Sequence, residues 1–279
     1  MNQQSLNRTI LNLILLWAIL AGYFAFTDLQ ISISLVDTSS GWARFMEKFG
    51  EIPGLLILFS GTFISLLHYL SGNHKLKLLF VPVLFLAATF LSSYFVIVFY
   101  RGITNDDSLL QVNKLLVGGI FLLINIIAAY QLRNIKFEER VLEYAGKAVL
   151  VGLFGYLIII QPIKHIWGRV RFRELDLLYN NFTPWFLPNG FTGHESFPSG
   201  HSAMAWMVLP LLILVKNKKR LIRSAVLLVI ILWGLVVPLS RIVIGAHYAS
   251  DALFGASIII LSYLIINSKN QFALIKESK

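Results

Sequence analysis

The sequence predicts an all-α fold, a polytopic bundle of six to eight transmembrane helices. Of its 279 residues 57% are hydrophobic and only 14% are Asp, Glu, Lys or Arg, whereas about a quarter of an ordinary soluble domain is charged. The apolar residues gather into blocks of about 20, the length a helix needs to cross a bilayer at about 1.5 Å per residue. Basic residues are biased: fifteen of the 24 Lys and Arg lie in loops on the side of the N-terminus, and nine on the other side. The first two observations exclude a soluble globule, a disordered chain and a fibrous protein. The absence of cysteine removes disulfide scaffolds, Cys-ligated metals and cysteine nucleophiles.

Eight apolar segments follow along the chain, at 10–26, 52–70, 78–100, 115–132, 144–163, 199–215, 221–240 and 248–267. Arg8 precedes the first, but no small-x-small cleavage pattern follows it, so it reads as a retained anchor. After it Trp42, Phe45, Met46 and Phe49 recur at i, i+3, i+4 and i+7, with Arg44, Glu47 and Lys48 on the other side. That pattern predicts an interfacial helix near 42–49. Lys147 and Arg223 fall inside the starts of the fifth and seventh segments, where long basic side chains snorkel to the headgroups. Residues 1–143 thus read as N-terminal spans and 144–279 as the region holding the chemistry, within one integrated membrane domain.

The positive-inside rule places both termini in the cytoplasm and the connections after the fifth and seventh spans outside. In a bacterial host the membrane would be the cytoplasmic one. Much of the net charge of +10 is then topology. No nucleic-acid partner is expected, because the basic residues lack interleaved aromatics.

The connection between the fifth and sixth spans exceeds thirty residues, long enough to suggest function. It opens with Lys164, His165, Trp167, Arg169, Arg171, Phe172 and Arg173 and closes with Pro198, Ser199, Gly200 and His201. The short connection between the last two spans carries Ser240, Arg241, His247 and Asp251. Lys164, Arg171 and Arg241 bring three cations to one membrane boundary, and guanidinium forks match phosphate oxygens. Ser199 and Gly200 stand at a helix start, where free N–H groups and the dipole favour an anion. His247 and Asp251, four apart, share a helical face, so the carboxylate could fix the imidazole tautomer. This is a nucleophile with its orienting group, and His201 is left as a separate acid.

These three segments resemble the signature of the type 2 phosphatidic acid phosphatase superfamily, in its integral-membrane lipid phosphatase branch: K-x6-R-P, then P-S-G-H, then S-R-x5-H-x3-D. Lys164 and Arg171 keep the first spacing, Pro198 to His201 is complete, and Ser240, Arg241, His247 and Asp251 keep the third. Phe172 replaces the usual proline, which could loosen the register and let Arg169 or Arg173 compete with Arg171. The resemblance covers Lys164 to Asp251 by motif. Members of that branch commonly have six spans.

The resemblance implies an active site at the extracytoplasmic membrane boundary and a metal-independent phosphatase acting on a membrane lipid phosphate or diphosphate. His247 would attack phosphorus to give a phosphohistidine, Asp251 would orient it, and His201 would protonate the leaving oxygen and then serve as base. Lys164, Arg171, Ser199, Gly200 and Arg241 would hold the phosphate. No metal or cofactor is expected, and the sequence has no H-x-x-x-H or H-E-x-x-H pair. Loop aromatics Trp167, Phe172, Trp185 and Phe186 suit a lipid substrate, such as undecaprenyl diphosphate, phosphatidylglycerophosphate, phosphatidic acid or a lipid A phosphate. Asn180, Asn181, Asn189, His194 and Glu195 are candidates for headgroup selection. Two alternatives stay open: a phosphotransferase passing the same phosphate to a second lipid, and a non-catalytic transporter or scaffold. The apparent scarcity of ionisable residues in the spans argues against a transporter. Oligomeric state is not encoded visibly.

Overall fold

A computed structural model of the chain describes residues 3–72, 74–104 and 114–268. Helices are the regular elements of the described residues, with no strand among them, and seven helices are long and apolar enough to cross a membrane. In order they are α1 (Gln3–Leu35), α2 (Gly41–Phe49), α3 (Ile52–Ser71), α4 (Lys77–Thr104), α5 (Lys114–Leu132) and α6 (Glu139–Val151). Helix α6 runs on through a π-helical stretch, Gly152–Ile160, into α7 (Gln161–Trp167). After the long loop come α8 (Gly200–Trp206), α9 (Leu211–Leu214), α10 (Arg220–Val243) and α11 (Ala249–Ser268). Helices pair most backbone groups within the span, which is what a hydrocarbon environment demands.

Helix α8 is the hub of the bundle. It packs on α3, α10 and α11, and the main core joins Ala203 and Met204 of α8 to Leu55 and Leu58 of α3, Val151 of α6, Ile230 of α10 and Ile259 of α11. Helix α1 packs along α11, and α4 lies between α3 and α5 around Leu66, Leu67, Leu84 and Ala129. Outward-facing Leu79, Leu86 and Phe90 of α4 and Leu123 and Ile127 of α5 are exposed, as lipid-facing side chains are.

Two expectations change in detail. The sixth apolar segment, expected as one span over 199–215, is a pair of short helices broken around Met207 to Pro210. Pro210 has no N–H to continue the ladder, and a piece this short is tolerated because protein, not lipid, surrounds it. Lys147, expected to snorkel, is buried instead and donates to Glu143 at 2.5 Å and to Asn267 at 2.7 Å.

Candidate active site

Helix α7 delivers Lys164 in its last turn and stops at Gly168, whose φ of 56° is left-handed. A Cβ there would run into the Gly190 carbonyl as well as strain the backbone, so glycine lets the chain leave α7 under the returning loop. Helix α10 delivers Arg241 at its C-terminal end, α8 begins with Gly200 and His201, and His247 stands just before α11. Together with Arg171 these residues line one cavity of ≈ 780 Å³.

The phosphate-type donors are held but not used up. Lys164 is 8% exposed and its Nζ donates to the Glu195 carbonyl at 2.7 Å. Arg241 is 4% exposed; its Nη2 reaches Glu47 at 3.3 Å, while its Nε and Nη1 are buried without a partner. Arg171 pairs with Glu174 at 3.2 Å and also keeps a buried, unpartnered Nε. Buried N–H groups normally find acceptors, so three such orphans around one cavity describe a seat for an anion with several oxygens.

His247 is 3% exposed, and its Nδ1 lies 2.7 Å from the Ser196 carbonyl. A carbonyl only accepts, so Nδ1 carries the proton and Nε2 keeps its lone pair. Burial pushes this imidazole down to about 4, although the Asp251 carboxylate pulls the other way. It is therefore neutral, as a nucleophile must be, at ordinary pH. Asp251 stands 3.6 Å from Nδ1, beyond hydrogen-bond range. Its carboxylate accepts from Ser196 Oγ at 2.5 Å, the Tyr248 N–H at 3.0 Å and Arg169 at 2.6 Å. Asp251 thus holds Ser196, and the Ser196 carbonyl holds the imidazole.

Of the eight residues singled out from the sequence, six line the cavity: Lys164, Arg171, Gly200, His201, Arg241 and His247. Asp251 lies behind His247. Ser199 is fully buried and caps α8, its Oγ accepting from the Ser202 N–H at 3.3 Å and hydroxyl at 2.9 Å, while its own N–H donates to the Asp251 carbonyl at 2.9 Å. It shapes the helix start that presents Gly200. Of the headgroup candidates only Glu195 reaches the cavity; Asn181 and Asn189 brace the loop, bonding to Asp176 and to Gly168 and Thr183. The loop aromatics pin it down as well. Trp167, Trp185 and Phe197 pack together and onto Phe254, and Trp185 Nε1 donates to the Ala21 carbonyl of α1 at 2.9 Å.

Of the two neighbours expected to compete with Arg171, Arg169 lies outside the cavity and Arg173 lines it. Arg169 is fully buried, stacked over the Tyr248 ring at 4.0 Å, and bonded to Asp251, Ser250, Asp28 and the Thr183 carbonyl. Arg173 pairs with Glu47 at 2.9 Å. Phe172 is buried, stacked on Tyr179 at 5.8 Å and edge-on to Tyr248, which fixes this turn where a proline would have stiffened it.

Several site residues escaped the sequence reading. Glu47 and Glu51 enter from α2 and the turn before α3, and α4 contributes the face Tyr94, Ile97, Val98 and Arg101, with Tyr156 from the π-helical stretch. Asp28, Glu51 and Arg101 had a usable signal, an ionisable group within or beside an apolar span; Tyr94, Ile97 and Val98 had none, since their spacing is that of any apolar helix stripe.

Residues 145–272 match the profile of the PAP2 superfamily. No solved structure matches the chain. Glu47, Glu51, Tyr94 and Arg101 lie outside the matched region, so the N-terminal helices wall the cavity opposite the signature residues.

Proposed function

With residues 145–272 matching the profile of the PAP2 superfamily, which suggests phosphatase action on phosphate esters, we propose that this chain removes phosphate from a membrane lipid phosphate or diphosphate, without metal, through a phosphohistidine on His247. The observation that carries this reading is the buried, neutral His247, its Nδ1 committed to Ser196, on one cavity with the orphaned N–H groups of Arg171 and Arg241.

Lys164, Arg171, Arg241 and the Gly200 N–H hold the non-bridging oxygens and orient phosphorus towards Nε2 of His247, and positioning and electrostatics supply most of the rate in phosphoryl transfer. The Nε2–P bond forms as the P–O bond to the lipid breaks, and His201 gives its proton to the departing oxygen. Water then attacks phosphorus, the P–Nε2 bond breaks, and His201 takes the water proton. Fixed cations take the place of a metal, and among the described residues no three His, Asp or Glu side chains gather as a metal site. Ile97 and Val98 of α4 give the cavity an apolar strip that suits a lipid whose tail stays in the bilayer. Undecaprenyl diphosphate, phosphatidylglycerophosphate and phosphatidic acid fit that description.

Phosphate release by detergent-purified protein from a panel of those lipids, with EDTA or vanadate and beside His247→Ala, tests the reading. It predicts release that resists EDTA, is blocked by vanadate and is absent in the variant. EDTA-sensitive release, or release that survives His247→Ala, overturns it.

A further inference from the structure

The two imidazoles of the site are held by opposite nitrogens. His201 Nε2 lies 3.0 Å from the Glu47 carbonyl, so Nε2 donates there and Nδ1 is the nitrogen left to exchange a proton with the cavity. Oε2 of Glu51 stands 4.0 Å from that Nδ1. Glu51 sits in the turn between α2 and α3, is buried, lines the same cavity, and is fixed by the Tyr94 hydroxyl, which donates to it at 3.3 Å. A separation of 4.0 Å is too long for a hydrogen bond, so the carboxylate does not consume the Nδ1 proton. At that distance a carboxylate and a protonated imidazole attract each other without a hydrogen bond.

The charges around His201 leave this task to Glu51. Burial opposes a positive charge on it most, and Arg241 and Lys164, facing it from α10 and α7, oppose it as well, while the neutral His247 faces it from the run before α11. The Glu47 carboxylate is engaged with Arg173 and Arg241. Glu51 feels the charges of Arg241 and Lys164 but makes no ion pair with either among the described residues, and its carboxylate lies against His201.

We propose that Glu51 is a positioning residue for His201, the counter-charge that holds a proton on Nδ1 until the leaving oxygen takes it. This rests on the phosphohistidine reading above. As the Nε2–P bond to His247 forms and the P–O bond breaks, the Nδ1 proton moves to the departing oxygen and yields the free alcohol. When water attacks, its proton returns to Nδ1 and the P–Nε2 bond breaks. Glu51 exchanges no proton in either step and bonds to no phosphorus.

The test compares full-length Glu51→Gln with wild type on two substrates of opposite need. Phosphatidic acid expels an alkoxide that must be protonated; p-nitrophenyl phosphate expels a stable anion that need not be. The readout is kcat/KM, which reports the first irreversible step, P–O cleavage. The expected result is a loss of at least about tenfold on phosphatidic acid and under about threefold on p-nitrophenyl phosphate, since a positioned acid contributes ~10²-fold or more. The alkaline limb of the phosphatidic acid profile should also move to lower pH. Equal losses on both substrates, or no loss on either, overturn the role. Should Glu51→Gln not fold, Glu51→Asp keeps the charge on a shorter stem and must show the same substrate split, more weakly; a uniform loss there overturns it too. His247→Ala in the same series separates the two readings. Release that survives it sinks the phosphohistidine reading, whereas release lost in His247→Ala with uniform losses in Glu51→Gln sinks only the role of Glu51.

Discussion

Arg169 and Arg171 are neighbours but one residue apart, and their surroundings give them opposite work. Arg169 is the cation of a closed network with Asp28 at 3.0 Å and Asp251 at 2.6 Å, all three buried. Removing it leaves two buried carboxylates unpaired, which costs about 3–5 kcal/mol. Arg169→Ala should therefore lose most of its folded protein on extraction, measured by size-exclusion chromatography and thermal unfolding. Arg171 is a third exposed, with one salt bridge to Glu174 and an orphaned Nε on the cavity. Arg171→Ala should stay folded and lose about 10²-fold in turnover, the usual scale for one oxyanion-type donor. Wild-type folded yield in Arg169→Ala, or full activity in a folded Arg171→Ala, contradicts this division. The spacing from Lys164 picks out Arg171 from sequence, but the role of Arg169 is invisible there because its partner Asp28 is 141 residues away on α1.

Among the elements, α8 decides where the site stands. Its N-terminus presents Gly200 and His201, and it is wedged between α3, α10 and α11. Gly255 of α11 makes the wedge possible: a Cβ there would collide with the Ser199 carbonyl, a backbone atom that cannot turn aside. Gly255→Ala should cost about 1–3 kcal/mol by overpacking and lower turnover as well, since the displaced Ser199 carries Gly200 and His201 with it. Thermal unfolding and phosphate release measured together check this, and unchanged values of both would contradict it. Hydropathy blocks made the long spans legible, because lipid-facing and buried positions are both apolar in a membrane helix. The break around Met207 to Pro210 was not legible as such, since a short helix sheathed in protein has the same composition as a span. The segment 42–49 was legible as a surface helix from its 3-4 spacing, yet the use of its polar face was not: Glu47 pairs with Arg173 and Arg241, residues distant in sequence.

At the scale of the whole molecule, two halves of the chain face each other across one cavity. The signature residues come from 145–272, and the opposite wall comes from α2, the turn before α3 and α4. The motifs marked the first half because the proposed phosphate chemistry constrains residue type and spacing. The second half supplies shape and charge, which leave no motif. The basic-loop bias predicts that the cavity faces outwards and both termini inwards. The chain has no cysteine, so single introduced thiols report this cleanly. Leu177→Cys, at a position 97% exposed in the long loop, should react with a membrane-impermeant maleimide in intact cells, and Lys218→Cys only after permeabilisation; the reverse pattern would invert the molecule.

The central claim is that phosphate passes through His247, and the most direct measurement is to quench a millisecond reaction with ³²P-labelled phosphatidic acid and ask what the protein carries. The account predicts a label on wild type that is labile in acid and stable in alkali, as a phosphoramidate bond is, and no label on His247→Ala. Label retained by the variant, or none on a wild-type protein that is turning substrate over, would contradict it.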